Sequence, residues 1–109
     1  MEQVMETKHT PGPWGYWSGY NAYDRIEAQV TAEGGDIVIA SYNHLIAEGE
    51  ANAKLIAAAP ELLAALIESR QVIATALKVG APDWFDSDEK VAQHVTVKKI
   101  DAAITKATA

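Results

Sequence analysis

The chain contains no cysteine. That absence excludes a disulfide framework, cysteine-based zinc sites and a thiol nucleophile, and it suits a reducing compartment. Positive charge is scarce as well, with nine Lys and Arg against fifteen Asp and Glu and a formal net charge of −6. The basic residues are spread along the chain, whereas a nucleic-acid backbone is held by clustered cations that release counterions, so no long nucleic acid is expected as a partner. His9, His44 and His94 stand far apart in the sequence and propose no metal site. No apolar run has the length of a membrane span, and the start MEQVMETKHT lacks the basic and hydrophobic stretches of a signal peptide. The expected compartment is the cytoplasm.

Catalytic signatures are missing too. The sequence holds no GxxxxGK[ST], no GxSxG and no HExxH, and EGGDIV at 33–38 reads as a turn between strands rather than a phosphate loop opening a helix. The carboxylates of DWFDSDE at 83–89 read as a solvated turn and helix cap rather than an acid–base pair. The expectation is a protein that is not an enzyme and needs no cofactor or metal.

Aromatic residues are few but concentrated. HTPGPWGYWSGYNAYD at 9–24 holds Trp14, Trp17, Tyr16, Tyr20 and Tyr23 among prolines and glycines, which bend the chain before an extended segment. Trp14 is expected to plug the core. RIEAQVTA then alternates, with Ile26, Ala28 and Val30 on one side and Glu27, Gln29 and Thr31 on the other, the period of a half-buried strand. After the EGG turn, the β-branched run in DIVIASY suits a strand buried more fully. Together these predict a three-stranded antiparallel meander over 15–42.

The second half is helical. Residues 49–58 are strong helix formers with Leu55 and Ile56 on one side. Pro60 cannot donate to residue 56 and would clash in a helix interior, yet it fits a first turn, so the helix is expected to end or bend and a new one to start at Pro60. The new helix should reach Val79, with Gly80 as its stop. Asp86, three residues before Glu89, resembles a capping box opening a last helix through Val97, Ile100, Ile104 and Ala107, whose weakest stretch is HVTV. The predicted class is α+β, one domain of 1–109 with a loose tail at 1–8, a β part at 9–45 and a helical part at 49–107. The long helices carry more apolar surface than one sheet face can hide, which predicts a homo-oligomer through Leu62, Leu66, Ile73 and Leu77.

Candidate ligand contacts follow from residue chemistry. Tyr16, Trp17 and Tyr20 offer flat faces on which a base can stack, or they pack under the helices and along the sheet edge. Arg25 and Arg70 are the only arginines; with Lys54 they can meet phosphate or serve as plain surface charges. Asn52, a poor helix former in a first turn, either contacts a ligand or holds the loop at Asn43 and His44, where sheet gives way to helix.

Three segments carry a resemblance: HTPGPW at 9–14, EANAKLIAAAPELLAAL at 50–66 and IDAAITKAT at 100–108. Their order and spacing resemble a group of small proteins encoded by tailed bacteriophages and prophages, with a variable strand region between the first two motifs. The resemblance implies a phage accessory protein acting in the bacterial host's cytoplasm and transfers no active site. In scale, layout and expected oligomerisation the chain is also similar to phage sponge proteins, which sequester cyclic nucleotide or cyclic ADP-ribose immune signals between subunits without turnover. A small anionic nucleotide is then the expected ligand. The alternative is an acidic inhibitor of a host defence complex, anti-CRISPR-like or a decoy, to which the −6 charge lends itself.

Overall fold

The computed structural model describes residues 8–17, 28–43 and 45–109. Its elements are β1 (Trp14–Trp17), β2 (Ala28–Ala32), β3 (Ile37–Tyr42), α1 (Gly49–Ala57), α2 (Ala59–Gly80), α3 (Asp88–Ala92) and α4 (Val95–Thr108). The three strands form one antiparallel sheet in the order β1-β2-β3, and helices follow it, an α+β fold. The chain gathers into two compact units, one up to Leu62 and one from Leu63.

In the first unit the central strand is the buried one. Ala28, Val30 and Ala32 are buried while Gln29 and Thr31 are half-exposed, the alternation expected of one covered face. Val30 pairs with Tyr16 of β1 and with Ala40 of β3. The expectation of a more fully buried β3 is corrected: none of its residues is buried, because it occupies an edge of the sheet. A register shift after Val30 changes its phase. Ile39 and Ala40, which a regular strand would send to opposite faces, therefore both pack against the cluster of Val30, Ala53 and Ala57. The turn from β2 to β3 uses positive φ at Glu33 (52°), Gly34 (65°) and Gly35 (104°), a conformation for which the paired glycines are suited.

α1 covers β1 and β2 with its small residues. Gly49, Ala53 and Ala57, four apart, are buried, whereas Leu55 is 63% and Ile56 37% exposed. The large side chains of this helix thus point outward, and the residues it sets against the sheet are no bigger than alanine. The interruption is where the proline requires it: α1 ends at Ala57, Ala58 is a capping residue, and Pro60 stands in the first turn of α2. Pro60 also has a tertiary role. A Cβ placed on Gly12 would lie 3.0 Å from the Pro60 Cβ, so the HTPGPW segment packs directly on the proline ring.

In the second unit Arg70 of α2 reaches Asp101 of α4, and Lys78 of α2 reaches Asp88 of α3. Val91, Val97 and Ile100 are the buried apolar residues. The sequence expectation of a single last helix is corrected. It is split at Gln93–His94, at the start of the HVTV stretch, where His94 adopts extended φ/ψ and its Nδ1 accepts the Thr96 N–H at 3.1 Å. The capping box is also replaced. Ser87 is the cap, its Oγ accepting from the Lys90 N–H at 3.3 Å, and Asp86 instead pairs with the Lys90 ammonium at 3.0 Å. Gly80 belongs to the last turn of α2 and not to a left-handed stop.

Asp101 sets a pH dependence. The Arg70 guanidinium holds it bidentately, Nε to Oδ1 at 2.8 Å and a terminal nitrogen to Oδ2 at 3.2 Å, and that hydrogen bonding lowers the Asp101 pKa below its usual 3.8. The unfolded carboxylate binds its proton first as pH falls. The pair's contribution is therefore complete above the ordinary carboxylate pKa and is lost as pH drops through the depressed one. Urea titrations should show the unit losing stability below about pH 4 for this group, and Asp101→Asn should flatten that part of the profile while costing at most about 1 kcal/mol at pH 7, because both side chains are partly solvated. An unchanged acid limb in the variant would remove Asp101 as the responsible group.

Candidate functional site

The site grows out of the HTPGPW segment. Trp14 opens β1, and its indole N–H donates to the Thr10 carbonyl at 3.1 Å, closing the proline–glycine bend on itself. The His9 ring stands edge-on to the indole, with centroids 6.1 Å apart. Held this way, Trp14 packs one side against the cluster of Val30, Ala53 and Ala57 and shows the other to a groove.

That groove, an open depression of about 440 Å³, is lined by Trp14, Gly15, Tyr16, Lys54, Ala57, Ala58 and Glu61. Its floor is the small-residue end of α1, and its walls are β1 and the start of α2. Gly15 lines the groove with backbone, and a Cβ there would meet nothing within 4 Å. Tyr16 is 37% exposed, and its hydroxyl lies 3.5 Å from a carboxylate oxygen of Glu50. The polar complement is one ammonium, Lys54, and one carboxylate, Glu61. An aromatic face, a cation and an acid around a shallow recess suit a flat ligand bearing both an anionic group and a hydrogen-bond donor.

Of the residues singled out in the sequence, Tyr16 and Lys54 converge here, although they are 38 positions apart (54 − 16). Trp17 does not join them. As the next residue on the strand it faces the other side, and its carbonyl accepts the Tyr42 hydroxyl at 3.0 Å. Asn52 is exposed on α1. Asn43, the loop residue that the sequence links to it, uses its side-chain oxygen to accept the Leu45 N–H at 2.9 Å, a local turn. Arg70 belongs to the second unit, where Asp101 engages its guanidinium. Tyr20, Arg25 and His44, with Tyr23, lie outside the described residues. Glu61 and Gly15 were not anticipated as lining residues. The signal for Glu61 lay in the motif itself, since a residue following Pro60 shares the turn on which Gly12 rests.

Among the described residues no cluster of His, Asp and Glu could hold a metal ion, and no helix is long and apolar enough to cross a membrane. A family model described as Salmonella phage P22 protein Y8K6 matches residues 5–109. No curated protein and no solved structure matches the chain.

Proposed function

We propose, on the premise that the chain belongs to the Salmonella phage P22 protein Y8K6 family, that it is a phage counter-defence protein that sequesters a cyclic nucleotide-type immune signal without turnover. The observation that carries this reading is the meeting of Tyr16 and Lys54 in one groove beside Trp14. A purine or nicotinamide-like ring stacks on Tyr16, the phosphate faces Lys54, and Glu61 accepts from a ring amine or ribose hydroxyl. In this reading the ligand is held by stacking and charge alone and leaves as it arrived.

Thermal denaturation against a panel of cyclic nucleotides tests the reading. A ligand that binds only the folded protein adds about 2.7 kcal/mol at a hundredfold excess over its dissociation constant. One member of the panel should raise the melting temperature, Lys54→Ala and Tyr16→Ala should each abolish the rise, and heating should release the compound intact. No shift with any member defeats the proposal, and a chemically altered product assigns the protein to an enzyme class instead.

A second reading is supported by a different feature of the same unit. Leu45, Ile46 and Leu55 are 83%, 53% and 63% exposed on a chain of net charge −6. Exposed large apolar residues on an acidic chain suit an inhibitor that masks a basic groove on a host defence complex. Pull-down from host lysate at low salt separates the two readings: a stoichiometric partner lost on Leu55→Glu favours the inhibitor, and none disposes of it.

A further inference from the structure

α2 carries two apolar stripes with different fates. Leu66, Ile73 and Leu77 share a stripe with Arg70, which reaches across to Asp101 of α4, and all of them are half-buried. That stripe is the intramolecular one, so the sequence-based interface through Leu66, Ile73 and Leu77 shifts to the other side of the helix. The second stripe, Leu62, Ala65, Ser69, Val72, Ala76 and Val79, advances by alternating steps of three and four residues, and every member is exposed. Leu62, Val72 and Val79 are 53%, 63% and 76% exposed. This is the spacing of a coiled-coil seam, with apolar residues every 3.5 positions on average.

We propose that this second stripe is where a second copy of the chain docks, α2 against α2 in antiparallel orientation. Reversal leaves the stripe matched to itself. Leu62 falls opposite Val79, Ala65 opposite Ala76 and Ser69 opposite Val72, so large residues meet at the ends and alanines meet between them. Such self-matching is what a two-fold interface requires, because each residue must suit its counterpart in both directions. The charges agree. Glu61 lies in the first turn of α2 and Lys78 in its last. Antiparallel pairing sets Glu61 near Lys78 of the second copy, whereas parallel pairing would align glutamate with glutamate. The helix dipoles oppose favourably in the same orientation. Around Val72 and Val79 the surface forms a recess of about 490 Å³, lined by Gln71, Val72, Thr75, Ala76 and Val79, which receives side chains of the facing helix.

The absence of cysteine makes the geometry directly testable in the full chain. Light scattering at micromolar concentration should give twice the chain mass. Mixing the Ala65→Cys protein with the Ala76→Cys protein under mild oxidation should yield the mixed disulfide, because only an antiparallel pair brings those positions within bonding distance. Val72→Glu, at an exposed position that the isolated fold tolerates, should weaken the dimer about 100-fold while leaving the circular dichroism spectrum unchanged, since it buries an unpaired carboxylate in the seam. A monomeric wild-type mass overturns the proposal. So do homodisulfides of each single variant in place of the mixed one, or a Val72→Glu protein that keeps the dimer mass.

Discussion

Replacing Trp14 with alanine is expected to lower the stability of the sheet-containing unit by about 2–3 kcal/mol, less than the roughly 3–5 kcal/mol of fully buried tryptophan truncations because the residue is half-exposed. Several supports go at once. The indole leaves the cluster of Val30, Ala53 and Ala57, the Thr10 carbonyl loses its donor, and the His9 ring loses its partner. The bend that rests Gly12 on Pro60 is then held only by its prolines. Urea unfolding followed by circular dichroism measures the loss. Trp84→Ala is the control, because Trp84 is 77% exposed and its removal should change stability by no more than about 0.5 kcal/mol. Equal losses for the two tryptophans would mean that Trp14 does not anchor the unit. The same variant removes one wall of the groove, so any ligand-induced rise in melting temperature should vanish with it.

Ala53→Leu should cost a similar amount, about 2–3 kcal/mol, in spite of a helix propensity that barely changes. Ala53 has no exposed surface and sits between α1 and the sheet, flanked along the helix by buried Gly49 and Ala57. Extra methylene groups there must push α1 off β1 and β2 or force the sheet to bend. Ala51→Leu, the same substitution on the exposed face of α1, should be neutral to within about 0.5 kcal/mol. If both variants unfold at the same urea concentration, the close packing of α1 on the sheet is wrong. Because Ala57 also forms the groove floor, displacement of α1 should weaken ligand binding before it unfolds the protein.

These variants mark where sequence reasoning succeeds and where it stops. The burial of Ala28 and Val30 was legible because a strand's side-chain period is two, and the interruption near Pro60 because a proline nitrogen carries no hydrogen. The outward direction of Leu55 and Ile56 was not. Hydrophobicity ranks residues by transfer free energy, whereas α1 buries the residues that permit the closest approach to the sheet. In β3 a one-residue register shift brought both Ile39 and Ala40 to the core cluster, and strand pairing is non-local. In the candidate site, Tyr16 and Lys54 could each be named by chemistry, but their meeting depends on how α1 crosses β1. Arg70 shows the reverse: an arginine suited to phosphate is held by a carboxylate 31 residues away.

By itself the chain's order of residues determined the element types, the interruption ahead of Pro60, the alternation of β2 and the lack of cysteine chemistry, because each follows from local backbone geometry or from composition. Only the tertiary structure decided which apolar residues are covered, which stripe of α2 stays exposed, that Gly12 rests on Pro60, and that Trp14, Tyr16 and Lys54 line one groove. Those outcomes depend on distances between segments far apart in the chain. They are set by volume and close packing, which no local pattern of residues encodes.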